Sequence, residues 1–201
     1  MGTDALRGRA IWQDYSGANA GQAELSFYNV FTEVFKKTEY AIRAKPKEFS
    51  KIYVDVPLRE DVLAAIHCPE KGIIKHGITP DYAIDNLKTK KTLYIEVKRQ
   101  DGWVEGKKRS AGRGNAHERS NKFFTPGLLR VLRERGKLGD DVLPFWTVFQ
   151  GDITRDPCRV REITLWYEGW DAHFFMWRDS EDPTGLLQHY DERLRPLLER
   201  E

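Results

Sequence analysis

The 201-residue sequence is short of several things. Its two cysteines, Cys68 and Cys158, lie about ninety residues apart, in no CxxC pair and with no histidine at ligand spacing. That excludes a disulfide framework and a zinc ribbon, and predicts two reduced, partly buried thiols. No run approaches the roughly 18 apolar residues of a membrane span, so no membrane partner is expected. The opening stretch has no apolar core of a secretory signal, which makes the cytoplasm the expected compartment. Repeats, low-complexity runs and Pro/Gly/Ser-rich linkers are missing too, and the expectation is one domain over residues 1–201. An excess of one charge is also missing. Lys and Arg number 33 against 31 Asp and Glu, a net charge of +2, which excludes a polycationic tail.

What is present is a 40% hydrophobic, 32% charged chain, the balance of a packed core under a solvated surface. Leu25, Tyr28, Phe31 and Phe35 recur at helical spacing, with Val30 and Val34 beside them, predicting a core-packed helix over Gly21–Lys37. A second helix is expected from Leu58 to His67, ended by Pro69. The period then changes. Pro80–Asp85 reads as a strand, Asn86–Lys91 as a turn and Thr92–Lys98 as an alternating strand, together a hairpin. Gln100–Gly114 is glycine-rich and basic, hence a loop, with a helix from about Asn115. Thr125-Pro126, Asp156-Pro157 and Asp182-Pro183 each carry the cap-then-proline signature of a helix start. Pro144–Gln150 and His173–Trp177 read as buried aromatic strands. Helices interleaved with strands predict an α/β class with a central mixed β-sheet flanked by α-helices.

The hairpin carries candidate chemistry. Glu96 and Lys98 point to one side of a strand, about 6.5–7 Å apart, while Leu93, Ile95 and Val97 take the other side as core. Hairpin pairing can bring Asp81 beside Glu96. Two carboxylates meeting at one point repel, and a hard divalent cation such as Mg²⁺ relieves that repulsion with oxygen ligands. The Val97 backbone carbonyl is a natural third ligand beside Asp81 and Glu96. Such a cation can lower the pKa of a bound water, and Lys98 can hold the water and stabilise charge developing on a phosphate. A plain surface ion pair explains a Glu-x-Lys triplet equally well, so on these residues both readings stand.

The stretch after the hairpin sharpens the choice. Residues 98–122 hold eight basic and three acidic side chains, a net +5, which leaves −3 for the rest of the chain. Focused positive charge is the footprint of a polyanion site, and double-stranded DNA fits it best. Arg113 can bridge guanine O6 and N7, and Asn115 can bridge adenine N6 and N7. Small Ala116 allows close approach, and Glu118 can accept from exocyclic amines or orient Arg119. Gly112 and Gly114 let the backbone bend and approach. Lys107, Lys108, Arg109 and Lys122 are candidates for phosphate contact. His117 fits a packed helix residue as well as a functional one. Trp103 and the aromatics from Phe145 to Trp177 are expected in the core. A sequence-specific nuclease, a non-catalytic DNA-binding module and a nuclease for branched DNA all accommodate these features.

Pro80-Asp81 followed by Glu96-Val97-Lys98 resembles the PD-(D/E)xK nuclease superfamily. Arg113-Gly114-Asn115-Ala116-His117-Glu118-Arg119-Ser120 resembles the recognition segment of EcoRI-like type II restriction endonucleases. The surrounding residues 98–106 and 110–113, together with Gly151–Pro157 and Arg159–Thr164, are closer still to the MunI type. The resemblance implies the restriction-endonuclease-like fold and a homodimer making Mg²⁺-dependent double-strand cuts in palindromic DNA. It implies Asp81, Glu96 and Lys98 as catalytic residues, with the metal on Asp81, Glu96 and the Val97 carbonyl. It implies Arg113, Gly114, Asn115, Ala116, His117, Glu118 and Arg119 as the DNA-recognition set, reading a central AATT. His117 stands where EcoRI itself has an aliphatic residue, which favours the MunI-type site CAATTG, cut after the first C to leave 5′-AATT overhangs. Arg113 would read the outer C·G pair. A DNA methyltransferase would be the functional partner in the host.

Overall fold

The computed structural model describes residues 21–102, 104–107 and 117–200. Its frame is a five-stranded sheet: β1 (Tyr40–Ala44), β2 (Tyr82–Asn86), β3 (Thr92–Arg99), β4 (Phe145–Gln150) and β5 (Phe174–Trp177), in that spatial order. β1, β2 and β3 run antiparallel, as a hairpin and its neighbour must. β3, β4 and β5 run parallel, which requires a crossover between each pair. Those crossovers carry α3 (Pro126–Gly136) and α4 (Pro157–Trp166). The sheet is thus mixed, as expected. β1 is an addition to the expected strands. Its guanidinium at Arg43 bridges Glu48 and Asp85 of β2, a tie across the edge that the local pattern YAIRA does not announce.

Both faces of the sheet are covered. Leu93, Ile95, Val97, Trp146 and Val148 meet α1 (residues 21–34) and the C-terminal helices in one core. Tyr94, Phe145 and Phe149 meet Phe123, Leu128, Leu132, Ile163 and Tyr167 in the other. β4, buried at every position, therefore reads as a continuous apolar run rather than an alternating one. The two faces of β3 are consequently alike in burial, and the side bearing Glu96 is not an open surface.

Helix detail differs from expectation in several places. α1 buries Ala23, Phe27 and Phe31, a four-residue repeat that Phe35 continues just past its end, and turns Leu25 out to 58% exposure. α2 (Glu60–Ala65) is shorter than expected and buries no side chain. The segment expected as an α-helix from Asn115 is described from His117, as a 3₁₀ helix to Phe124. His117, Ser120 and Phe123 are its buried residues, and their spacing of three is the period of a 3₁₀ turn. The last helix is continuous from Thr184 to Glu199 only through a π turn at Tyr190–Leu194, between α5 (Thr184–His189) and α6 (Arg195–Glu199). Pro196 lacks an N–H and crowds the carbonyl four residues back, and the wider turn accommodates it. Asp156 caps α4 as read from the sequence, its Oδ1 accepting from Cys158 N at 2.9 Å and Arg159 N at 3.0 Å. Thr125 does not cap α3, because its hydroxyl donates to the Lys122 carbonyl at 2.7 Å instead. Cys68 and Cys158 are free, and both are exposed rather than partly buried.

His173 gives this fold a pH dependence. Its ring is buried, and Nδ1–H donates to the Phe145 carbonyl at 3.0 Å, fixing β4 to the turn before β5. Burial depresses its pKa to about 4. The unfolded chain, with an ordinary histidine, binds the proton more tightly. The resulting stability is present above about pH 6.5 and is lost as pH falls toward 4, up to about 3 kcal/mol in all. Thermal unfolding at pH 7.5 and pH 5 is expected to show a larger fall in Tm for the natural chain than for His173→Gln.

Candidate functional site

The antiparallel register that sets Tyr82 against Ile95 carries Asp81 to the level of Glu96. Both carboxylates are buried, at 7% and 4% exposure, and both lie on the sheet face opposite Val97. Asp81 Oδ2 accepts the Val97 backbone N–H at 2.9 Å, which fixes its rotamer against β3. The Lys98 ammonium bonds Glu96 Oε2 and stands 3.4 Å from both Asp81 Oδ2 and the Val97 carbonyl. Asp81, Glu96, the Val97 carbonyl and Lys98, four groups singled out from the sequence, thus converge on one spot.

Two further side chains join them without any sequence signal. Lys45, just past β1 with φ of 48°, holds Asp81 twice. Its backbone N–H donates to the Asp81 carbonyl at 2.9 Å, and its ammonium donates to Asp81 Oδ1 at 2.8 Å. The same ammonium reaches Glu24 of α1 at 2.8 Å. Lys45 and Glu24 lie 36 and 57 residues before Asp81 in the chain, so only the fold brings them there.

The electrostatics separate the two carboxylates. Burial alone would raise Asp81, but the Lys98 charge, the Lys45 hydrogen bond and the Val97 N–H outweigh it and hold it below its ordinary value. Glu96 is more deeply buried and is pushed up to about 7, because burial and the adjacent Asp81 charge exceed the help from Lys98. Lys98 is raised despite its own burial, since it faces both carboxylates. Two carboxylates with separated proton affinities beside an ammonium form a centre fit for handling charge on a phosphate. The oxygen-only set of Asp81, Glu96 and the Val97 carbonyl matches a hard divalent cation.

The loop leaving β3 is anchored to the turn after β4. Gln100 donates its N–H to the Gln150 carbonyl at 3.1 Å and accepts from Ile153 N at 3.1 Å. Gly102 N donates to Asp152 Oδ2 at 2.8 Å, and Glu105 N to Asp156 Oδ2 at 3.0 Å. Gly151, with φ of 82°, allows this crossing. A Cβ there would meet Asp101 Oδ1 at 2.4 Å and the Gln100 carbonyl at 2.7 Å.

Of the expected recognition residues, Arg113, Gly114, Asn115 and Ala116 lie outside the described residues, as do Lys108 and Arg109 of the phosphate set. Glu118, Arg119, Lys107 and Lys122 are exposed, with Lys122 over the Phe123 ring. The His117 ring is fully buried, which fits the packed helix residue that the sequence also allowed. Among the core aromatics, Phe145, Trp146, Phe149, Tyr167 and Trp177 are buried and Trp166, Trp170, Phe174 and Phe175 are half-buried, while Trp103 lies outside the described residues.

The family described as "Type II restriction enzyme MunI" matches residues 1–199. The chain belongs to this family of type II restriction enzymes. It is 50% identical to the type II restriction enzyme MunI of a Mycoplasma species, over 99% of this chain and all of that protein. The fold is similar to the crystal structure of MunI restriction endonuclease in complex with cognate DNA, with a TM-score of 0.81 over 94% of this chain and 97% of that one. Membership in the MunI family makes the protein a site-specific DNA endonuclease with the α/β restriction-endonuclease-like fold. It sets aside the non-catalytic module and the branched-DNA nuclease. No helix among the described residues is long and apolar enough to cross a membrane.

Gly151 provides a test of the anchoring. Gly151→Ala is expected to destabilise the protein by about 1–3 kcal/mol through backbone strain and the contact with the Gln100 carbonyl. Urea unfolding measures it, and an unchanged midpoint would contradict the crossing described above.

Proposed function

We propose that this MunI-family enzyme cuts CAATTG in double-stranded DNA after the first C on each strand, using Mg²⁺ and leaving 5′-AATT ends. The observation that carries the reading is the convergence of Asp81, Glu96 and Lys98 at the start of the anchored loop that leads to Arg113–Arg119. In this reading Asp81, Glu96 and the Val97 carbonyl hold the cation, which supplies Lewis acidity to a phosphate oxygen and acidity to a bound water. The buried Val97 N–H keeps Asp81 oriented. Lys98 orients the attacking water and stabilises negative charge as it develops on the phosphate. Arg113, Asn115, Ala116, Glu118 and Arg119 read bases, and Lys107, Lys108, Arg109 and Lys122 contact phosphates. A palindromic site calls for two subunits about a two-fold axis, each cutting one strand, so the working form is a homodimer in the cytoplasm. The full 201 residues act as one catalytic and recognition domain, functionally paired with a methyltransferase that protects host DNA.

Digestion of plasmid DNA carrying a CAATTG site, followed by sequencing of the ends, tests activity, site and cut position together. Fragments with any other ends would overturn the assignment. Lys98→Ala is expected to keep DNA affinity within a few fold while kcat falls at least about 10²-fold. Gel-shift and single-turnover assays separate the two quantities.

Cation binding has its own pH dependence. Glu96 must ionise to serve as a ligand, so Mn²⁺ affinity is expected to rise as pH increases through about 7. Electron paramagnetic resonance titration of free Mn²⁺ reads this directly. In Glu96→Gln binding is weaker and its rise near pH 7 disappears.

A further inference from the structure

His117 sits at the junction of the two halves of the site. Its ring is fully buried, whereas the next two residues, Glu118 and Arg119, are exposed. Nδ1–H donates to Gln100 Oε1 at 3.1 Å. One face of the ring stacks on Trp166 of α4, with centroids 5.5 Å apart and planes 12° from parallel. Nε2 lies 3.6 Å from Glu162 Oε2, a carboxylate already bonded by Arg159. The His117 carbonyl accepts from Ser120 Oγ at 2.8 Å, which starts the 3₁₀ turn. The Gln100 hydrogen bond, the Trp166 stack and the Ser120 hydrogen bond fix the residue from which Glu118 and Arg119 project.

Gln100 in turn is two residues past Lys98. Its backbone is tied on both sides, to the Gln150 carbonyl and to Ile153 N. Gln100 and His117 are separated by sixteen residues of sequence, 101–116. The His117–Gln100 hydrogen bond spans that separation directly, linking exposed Glu118 and Arg119 to the strand that bears Lys98 through one side chain.

The approach of His117, Glu118 and Glu162 within 4.8 Å also invites a metal. The Arg159 guanidinium on Glu162 opposes this, because it already neutralises the carboxylate and repels a cation. Burial, followed by the Arg159 charge, holds His117 below its ordinary pKa.

We infer that His117 is a positioning residue that couples base reading to phosphodiester cleavage by holding the Glu118-Arg119 segment in register with Lys98. This rests on the nuclease reading above. It differs from the recognition role that the sequence pattern implied, since His117 acts through its neighbours and touches no base.

The test uses the full-length enzyme and short duplexes, one with the cognate site and one with a single central base pair replaced. His117→Phe keeps a ring for the Trp166 stack and removes the nitrogen. Gln100→Leu removes the acceptor and leaves His117 intact. Each is expected to lower kcat on the cognate duplex about 10- to 100-fold and the cognate-to-substituted ratio at least about 10-fold, with KM within about threefold. The double variant is expected to match the single ones, because both break the same link. His117→Asn, whose amide can still donate to Gln100, should recover most of the ratio. Equal losses on both duplexes, additive losses in the double variant, or an unchanged ratio would overturn the inference. If His117→Phe fails to fold, Gln100→Leu alone decides. If the natural enzyme cleaves a sequence other than CAATTG, that site reading fails, and the same comparison on the duplex it does cleave still decides the role of His117.

Discussion

The structure depends on keeping two carboxylates together where water is scarce. Asp81 and Glu96 face each other on a covered side of the sheet, and each would be costly there alone. The fold meets that cost with the Val97 N–H and with two ammonium groups, Lys98 from the same strand and Lys45 from beside β1. The antiparallel β2–β3 pair supplies the opposition, and the left-handed turn at Lys45 supplies the outer cation. The arrangement leaves one carboxylate firmly ionised and the other poised near neutrality.

The second constraint is geometric. A cut at a defined position requires the reading residues and the catalytic residues to share one frame. β3 leads directly into the basic segment of the sequence, so the two are covalent neighbours. The turn after β4 then holds the start of that segment through Asp152 and Asp156, while Asp156 also caps α4. α4 returns the favour by placing Trp166 and Glu162 against His117. One aspartate thereby serves both the helix that packs against His117 and the stretch of chain that leaves β3.

Much of this was legible in the chain. The hairpin, the aromatic strands β4 and β5, and the Asp156-Pro157 helix start all came from local pattern, because each depends on near neighbours. The Pro-Asp…Glu-x-Lys spacing was legible for the same reason, since one antiparallel register fixes it. β1 escaped notice because its five residues carry no alternation and its partner lies forty residues away. Leu25 was misplaced because α1 has two apolar stripes, and only the sheet chooses which one to cover. His117 entered the recognition set through its place in the family motif, while its burial comes from Trp166 of α4 and from Gln100.

The sequence by itself determined the family, the charge focused after β3 and the residues of the central triad. These follow from residue identity and short spacing, which need no third dimension. The tertiary structure decided that Lys45 and Glu24 complete the electrostatics, that the site face is buried rather than open, and that His117 points inward. Each of those results from packing between segments far apart in the chain, where burial and long-range contact set the energy and no local pattern records it.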